Sequence, residues 1–232
     1  MKLDYISQRK EFETVWERRH QQPQVLESWT DNNWAKDRTE YLTFLVSIND
    51  QTIQEKTIKV QDQLSQYRCI DTLPVEYLHI TIKETGCFIV DEKTRFDEAT
   101  RQEVMNIAVE AKKIIKEYNP FTIQLKRLNN FSSVICVEVY DGGIIRNINK
   151  KLRNINGVNT LPHDPGFLPH MSIAQFQSDQ DYEGLIKTLE EKRETCIGKL
   201  IIDHIELVVA HLPKNNRYPQ LEVITELPLC RN

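Results

Sequence analysis

The predicted order of secondary-structure elements occurs twice along this chain. Apolar strands are predicted around Phe44 and Ile135, and each is followed by an amphipathic helix, a strand that contains a histidine, a second helix and a further strand. The histidines of the two copies are His79 and His170. The strands and the histidines share one offset, because 135 − 44 and 170 − 79 both equal 91. Since one offset relates two kinds of element, we infer an internal duplication and expect an α+β fold made of two β-α-β-α-β units.

Residues 1–38 precede the repeat and are predicted to be mostly helical and polar. All three tryptophans, Trp16, Trp29 and Trp34, lie in this segment, where we expect them to attach it to the rest of the protein. The composition, 40% hydrophobic and 28% charged over 232 residues, suits a globular protein with one large domain or two small lobes. We therefore divide the chain into an N-terminal helical extension, residues 1–38, and a bilobal domain, residues 39–232.

Each histidine strand carries the same four-residue pattern of a histidine, an apolar residue, a hydroxyl residue and an apolar residue. The two copies are His79-Ile80-Thr81-Ile82 and His170-Met171-Ser172-Ile173. Because strand side chains alternate between faces, the imidazole and the hydroxyl of each copy share one face while the apolar residues share the other. The same alternation places Lys83 on the face of His79 and Thr81. Two units related by a pseudo-two-fold axis would bring both polar faces to one cleft.

This pairing of groups suits phosphate-ester chemistry that needs no metal. An imidazole titrates near neutral pH, so one histidine can accept a proton while the other donates one. A hydroxyl can donate a hydrogen bond to a phosphoryl oxygen without adding a charge. A single pattern of this kind is more often a structural histidine on a sheet, whereas two copies in one chain favour a catalytic site.

Charge and cysteine content exclude several other classes of protein. The net charge is −4 and the pI about 5.9, which argues against a protein that binds long duplexes and favours a small nucleotide or an RNA terminus. No apolar run is long enough to cross a membrane, and the N-terminus lacks an apolar signal segment, so we expect a cytoplasmic protein without a membrane partner. The five cysteines, without CxxC spacing, are expected to be reduced and to form neither disulfides nor a zinc site: Cys69, Cys87, Cys136, Cys196 and Cys230.

The two histidine patterns resemble the motifs of the 2H phosphoesterases, a family that includes bacterial 2′–5′ RNA ligase-like proteins and cyclic phosphodiesterases. The second motif of that family often runs Phe-x-Pro-His-x-Thr/Ser-Leu, and residues 167–173 of this chain are FLPHMSI. The resemblance covers about residues 40–227. It implies two lobes with mainly antiparallel sheets around a central cleft. It also implies metal-independent hydrolysis, without a cofactor, of a 2′,3′-cyclic phosphate, a 2′–5′ linkage or a cyclic (oligo)nucleotide.

The resemblance implies that His79 and His170 are catalytic and that Thr81 and Ser172 hold the nonbridging oxygens. One position departs from the family, because relatives often carry a basic residue where this chain has Gln175. Lys83, or Arg217 next to Tyr218, is a candidate to supply the missing charge. Tyr77 and Phe167 precede the two histidines and are candidates either for base stacking or for packing.

Two other functions are compatible with the same residues. The protein could bind a 2′-phosphate or cyclic-phosphate RNA end without turnover, or it could join RNA ends by the reverse reaction. Retention of both histidines and both hydroxyls favours the hydrolase, since a binding module has no need of a proton-transfer pair. The sequence leaves open which histidine is the base, and we expect a monomer.

Overall fold

The computed structural model describes residues 4–25, 34–213 and 218–230. Five α-helices and ten strands alternate along the described chain, and two 3₁₀ turns (Val75–Tyr77 and Asp164–Gly166) precede the two histidine strands. The helices are α1 (Tyr5–Trp16), α2 (Gln51–Leu64), α3 (Arg101–Ile115), α4 (Ile144–Leu152) and α5 (Tyr182–Glu191). The strands are β1 (Glu40–Ser47), β2 (Ile70–Thr72), β3 (His79–Ile89), β4 (Glu98–Ala99), β5 (Phe121–Asn130), β6 (Val134–Tyr140), β7 (His170–Phe176), β8 (Cys196–Ile202), β9 (His204–His211) and β10 (Gln220–Pro228).

The strands form two antiparallel halves that meet at a single residue pair. The order is β10-β9-β1-β3-β7-β6-β5-β8, so lobe 1 contains β10, β9, β1 and β3, and lobe 2 contains β7, β6, β5 and β8. The halves join where Ile80 of β3 pairs with Met171 of β7. The short strand β2 lies beside β7, and β4 lies parallel to β3. The predicted α+β fold with two mainly antiparallel lobes is confirmed.

The duplication inferred from the sequence extends to the strand register. In lobe 1, Thr81 pairs with Leu45 and His79 pairs with Ser47. Adding 91 to each number gives Ser172 with Cys136 and His170 with Glu138, which are the pairs of lobe 2. The last strand of each unit crosses to the other lobe, since β5 pairs with β6 and β9 pairs with β1. The periodicity of the sequence does not predict this exchange, because it indicates which segments are strands and not which segments pair.

Capping residues and apolar spacing account for the helices behind the sheets. The carboxylate of Asp50 accepts a hydrogen bond from the Ile53 amide and begins α2. Thr100 and Glu103 form a capping box at the start of α3. The buried positions of α3 recur every three or four residues, which turns one helix face to the core: Val104, Ile107, Ala108, Ala111 and Ile115. Within the described ranges, no helix combines the length and apolar character that a membrane span requires.

One sequence expectation about the elements needs correction, and part of another lies outside the described residues. Among the described residues of the N-terminal extension, α1 is helical and residues 34–37 form a turn. Trp16 packs against the main core and Trp34 against Tyr41 and Phe88, whereas Trp29 lies outside the described residues. The single strand expected over residues 200–209 is two strands, β8 and β9, which lie in different lobes because the chain breaks at Asp203.

Candidate active site

The two histidine motifs lie on either side of the pair that joins the lobes. Ile80 and Met171 are fully buried on the core face of this junction. Counting one antiparallel step outward from that pair sets His79 across from Ser172 and Thr81 across from His170. All four side chains are half-buried and line one cleft of about 920 Å³. The structure therefore brings both predicted histidines and both predicted hydroxyls together in an arrangement of pseudo-two-fold symmetry.

Main-chain oxygens fix the tautomer of both imidazoles. Nδ1 of His79 lies 2.6 Å from the carbonyl oxygen of Tyr77, and Nδ1 of His170 lies 2.8 Å from that of Leu168. A carbonyl oxygen can only accept, so each Nδ1 carries its proton. Each Nε2 then holds a lone pair when the ring is neutral and a proton when the ring is charged. Both rings can thus act as a base or as an acid.

Burial lowers the pKa of both histidines, since it disfavours the charged imidazolium. For His79, the hydrogen bond to Tyr77 and the Glu206 carboxylate oppose this shift. For His170, the bond to Leu168 opposes it, while a positive charge on His79 lowers the pKa further. Negative charge therefore supports protonation at His79, and the second ring is pushed toward the neutral form.

A β-bulge in each histidine strand changes which residues face the cleft. In β3 the partner of Leu45 is Thr81 and the partner of Phe44 is Lys83, so Ile82 is an extra residue. In β7 the partner of Cys136 is Ser172 and the partner of Ile135 is Ala174, so Ile173 is the equivalent extra residue. An extra residue reverses the alternation beyond it.

The bulge makes the placement of Lys83 on the His79 face wrong. Lys83 is fully buried beside Phe44 on the other side of β3, and its Nζ lies 2.6 Å from Oδ2 of Asp164. Asp164 also accepts a hydrogen bond from the Leu161 amide in the loop before the second motif. Lys83 consequently holds this loop against lobe 1 and has no free charge at the cleft.

Glu84 and Gln175 face the cleft, where regular alternation would have placed Lys83 and Ala174. Both line the cleft beyond the bulges, and they are related by the same offset of 91 residues. Gln175 is 2% exposed, and its Oε1 has no hydrogen-bond partner among the described residues. The position that is often basic in relatives therefore places a buried, uncharged amide at the cleft wall.

A helix amide holds each bulge in place. Nδ2 of Asn149 in α4 lies 2.8 Å from the carbonyl oxygen of Ile82, and Nε2 of Gln61 in α2 lies 2.8 Å from that of Ile173. In each case the helix belongs to the opposite unit of the duplication. These bonds satisfy the buried carbonyl of the extra residue in each strand.

Aromatic rings flank both histidines. The ring of Tyr77 meets His79 edge-on at 5.0 Å and lies 5.6 Å from Tyr218, whose hydroxyl donates to Asp71. On the other side, the ring of Phe131 lies 4.4 Å from His170. Phe167 lines the cleft, as Tyr77 does. The predicted residue Arg217 lies outside the described residues.

No metal centre is evident in the part of the chain that the structure describes. Among these residues, no three His, Cys, Asp or Glu side chains lie close enough together to hold a metal ion.

The hydroxyls of Thr81 and Ser172 lack hydrogen-bond partners within the described ranges, so both can donate to a ligand in the cleft.

Comparison with known proteins identifies the family. The sequence model of the 2′-5′ RNA ligase superfamily matches residues 51–213, which is well over half of the chain. The chain belongs to this superfamily. The resemblance to 2H phosphoesterases is thereby confirmed, although none of the curated protein sequences compared with the chain matches it.

Several solved structures share the fold of this superfamily member. TT0787 of Thermus thermophilus is 15% identical, with 81% of this chain and 97% of that chain covered and a TM-score of 0.57. Apo LigT of E. coli is 12% identical, with 84% and 99% covered and a TM-score of 0.56. LigT complexed with 3′-AMP is 12% identical over the same shares, with a TM-score of 0.55.

Several residues in or near the cleft of this 2′-5′ RNA ligase superfamily member are not found by sequence reasoning. Phe131 lies in the turn between β5 and β6, and no pattern in the sequence links that turn to His170. Glu84 depends on a bulge that leaves no signature in the sequence. Glu206 influences His79 from β9, a strand contributed by the other unit. Glu84 depends on a local bulge and the other two on contacts between segments distant in the sequence, and hydrophobic periodicity encodes neither.

Proposed function

We propose that this protein is a metal-independent phosphodiesterase that uses His79 and His170 as an acid/base pair. The observation that carries the proposal is the symmetric cleft, in which each imidazole has its Nδ1 tied to a carbonyl and a hydroxyl opposite it. Acid and base groups on both sides of one phosphate are what hydrolysis of a phosphate diester requires. Each proton transfer of this kind contributes on the order of 10²- to 10⁴-fold in rate.

The proposed reaction moves two protons and exchanges one P–O bond. One histidine removes a proton from water through Nε2 as the water oxygen attacks phosphorus. The bond from phosphorus to a ribose oxygen breaks, and Nε2 of the other histidine gives its proton to that oxygen. Thr81 and Ser172 donate hydrogen bonds to the nonbridging oxygens as negative charge builds on them.

The surroundings of the two rings favour His79 as the acid and His170 as the base. Glu206 raises the pKa of His79, and it is held by the Ser47 amide and hydroxyl at 3.0 Å and 2.5 Å. The carboxylate opposite His170 is Glu138, whose charge is balanced by an ion pair with Arg193. Only the His79 side thus has a carboxylate without an arginine partner among the described residues.

The substrate class we propose is a small nucleotide or an RNA terminus with a 2′,3′-cyclic phosphate, a 2′–5′ linkage or a cyclic (oligo)nucleotide ester. A cleft of about 920 Å³ is in the size range of small-molecule and cofactor pockets. LigT, which shares the fold, has been crystallised with 3′-AMP. Four cysteines, Cys69, Cys87, Cys136 and Cys196, have free thiols, which supports a cytoplasmic location.

A substrate panel tests this proposal. The protein is incubated in EDTA with 2′,3′-cyclic nucleotides, 2′–5′ oligonucleotides and cyclic di- and trinucleotides, and products are separated by chromatography. We expect hydrolysis of at least one of these classes at an unchanged rate in EDTA. Absence of turnover for the whole panel, or loss of all activity in EDTA, would refute the proposal.

A further inference from the structure

The positive charge of the described cleft wall comes from one residue of the N-terminal extension. Among the described residues that line the cleft, Arg18 is the single lysine or arginine. Its side chain is exposed and has no hydrogen-bond or ion-pair partner within the described ranges. Of the two carboxylates on the wall, Asp164 is neutralised by Lys83, whereas Glu84 lies on β3 of lobe 1 and not on the lobe that carries the extension. Arg18 is therefore a free cation at a site proposed to bind an anion.

The extension is firmly attached to lobe 2 before it reaches Arg18. Nε2 of Gln8 in α1 donates to the Val139 carbonyl at 2.9 Å and to Oδ1 of Asp141 at 2.8 Å. Glu13 forms an ion pair with Arg127, a side chain that is 8% exposed. These contacts are long-range in sequence and fix the helix on β5 and β6, so the end of α1 has a defined place on the molecule.

The chain on both sides of Arg18 is also held. The Arg18 amide donates to the Val15 carbonyl at 3.0 Å, and the Arg18 carbonyl accepts from the Gln21 amide at 2.9 Å. The Tyr182 hydroxyl lies 2.8 Å from the carbonyl oxygen of Gln21, and the Gln24 amide donates to the Ser132 carbonyl at 2.6 Å. The turn that carries Arg18 is therefore built into the wall of lobe 2.

This wall adjoins His170. Ser132 follows Phe131, whose ring lies against the His170 imidazole at 4.4 Å. Asn130 is 7% exposed and lines the same part of the cleft, and its Oδ1 has no partner among the described residues. A cation and an aromatic ring thus lie on the His170 side of the cleft, together with an amide oxygen that can accept a hydrogen bond from a sugar hydroxyl or a base N–H, in a place suited to the part of a substrate beyond its scissile phosphate.

We propose that Arg18 forms a subsite for a second phosphate group of the substrate, with the hydroxyls of Ser132 and Ser133 on the same cleft wall as further donors. The inference rests on the proposed function and extends it, because a substrate with only the scissile phosphate would leave Arg18 unused. Arginine is well suited to this role since its planar guanidinium donates two parallel hydrogen bonds to a phosphate. The family match begins at residue 51, so Arg18 lies in a part of this chain outside that match.

Binding of reaction products tests the subsite without requiring turnover. The probes are adenosine 2′- or 3′-monophosphate and the corresponding 2′,5′- or 3′,5′-bisphosphates, measured by isothermal titration calorimetry at low salt. We expect the bisphosphate to bind roughly tenfold more tightly than the monophosphate, the lower end of the range for hydrogen bonds to charged groups. Arg18→Gln should remove most of that difference and leave the monophosphate Kd unchanged.

Arg9→Gln is the matched control, since Arg9 is an exposed arginine of the same N-terminal extension that lines a different groove. It should leave both affinities unchanged. The inference is overturned if the wild-type protein does not prefer the bisphosphate, or if Arg18→Gln weakens both probes equally. If the preference and its loss are observed but the substrate panel shows no turnover, the subsite stands and the proposed hydrolase function fails.

Cleavage assays then distinguish the source of the second phosphate. A 2′,3′-cyclic mononucleotide with a 5′-phosphate is compared with a dinucleotide that ends in a cyclic phosphate and has one internal phosphodiester. A fall in kcat/KM for the former on Arg18→Gln assigns the subsite to a terminal phosphate, and a fall for the latter assigns it to an internal one. No fall for either substrate would contradict the proposal.

Discussion

Each histidine of the cleft is oriented by the carbonyl oxygen two residues before it. The contacts of His79 with Tyr77 and of His170 with Leu168 are equivalent in the duplicated fold, and they leave both Nε2 atoms available. The difference between the two rings is electrostatic, because a carboxylate raises the pKa of His79 alone. Residue chemistry therefore makes the site symmetric in shape and asymmetric in charge.

The pH profile of Glu206→Gln tests the assignment of roles. Catalysis requires His79 protonated and His170 neutral, so kcat/KM should be bell-shaped and its alkaline limb should follow the acid. The Glu206 charge raises the pKa of His79, so its removal lowers that pKa and moves the alkaline limb to lower pH. Glu183→Gln, an exposed carboxylate of α5 outside the cleft, should leave the profile unchanged. A shift of the acid limb alone would show that His79 is the base and His170 the acid.

The hydroxyls should matter for the rate more than for substrate binding. Thr81→Val and Ser172→Ala each remove one donor to the nonbridging oxygens, and we expect kcat to fall by about 10²-fold for each, as for loss of a donor to a developing oxyanion. Thr81→Ser keeps the hydroxyl and should restore most of the rate. Steady-state kinetics on the best substrate of the panel measures this. A rise in KM with kcat unchanged would show that the hydroxyls contribute uniform binding only.

The placement of the four motif side chains on one cleft is predictable from the sequence, because period-two alternation holds within each motif. It misplaced Lys83, which lies only two residues beyond Thr81, because the extra residue Ile82 intervenes. Gln175 was noted as a departure from the family, yet its position on the cleft wall depends on the equivalent bulge at Ile173. Which face a side chain occupies is therefore predictable only up to the bulge in each strand.

The same combination of a strand bulge and a helix amide that holds it occurs in both units of the duplication. Asn149 donates to the Ile82 carbonyl and Gln61 to the Ile173 carbonyl, each from a helix of the opposite unit. The bulges turn Glu84 and Gln175 to the cleft and Lys83 away from it. Helix packing therefore determines which strand residues a substrate can meet.

Asn149→Ala should weaken both the fold and the site. Loss of the amide leaves the buried Ile82 carbonyl without its donor, which costs about 1–3 kcal/mol of unfolding free energy. We expect kcat to fall as well, since Thr81 precedes the bulge directly. Urea denaturation and steady-state kinetics measure the two effects. Asn154→Ala, at an exposed position after α4, is the control and should change neither. If Asn149→Ala is as stable as the wild-type protein, the bulge does not depend on the hydrogen bond from Asn149.

The elements themselves were largely predictable, and their pairing was not. Apolar spacing identified the helices and the histidine strands, because burial on one face imposes a period. The exchange of β5 and β9 between lobes leaves no such trace, since an exchanged strand has the same pattern as one that stays. The break at Asp203 was missed for a related reason, as β8 and β9 form one continuous run of strand-forming residues.

The buried ion pair of Lys83 and Asp164 connects the two lobes of the molecule. Lys83 belongs to β3 of lobe 1, and Asp164 lies in the loop that leads to His170 in lobe 2. The two side chains are 0% and 2% exposed. Besides the junction of β3 and β7, this ion pair links β3 directly to the loop before β7. It therefore helps to fix the two histidine strands relative to each other.

A double-mutant cycle measures that connection. Lys83→Met leaves the Asp164 charge buried without a partner, which should cost about 3–5 kcal/mol of unfolding free energy. Lys83→Met combined with Asp164→Asn removes both charges, so we expect it to be less destabilised than the sum of the single variants. Urea denaturation of the four proteins gives the coupling energy. Additive costs would show that the two groups act independently.

In the proposed mechanism, two histidines share the acid and base roles across one cleft. The most direct measurement is the rate of cyclic-phosphate hydrolysis, in EDTA, by the wild-type protein, His79→Ala, His170→Ala and the double variant, with circular dichroism to verify folding. We expect each single variant to lose about 10²-fold or more in kcat. The double variant should be little worse than the singles, because the groups act as a unit. Full activity in either folded single variant would contradict the account.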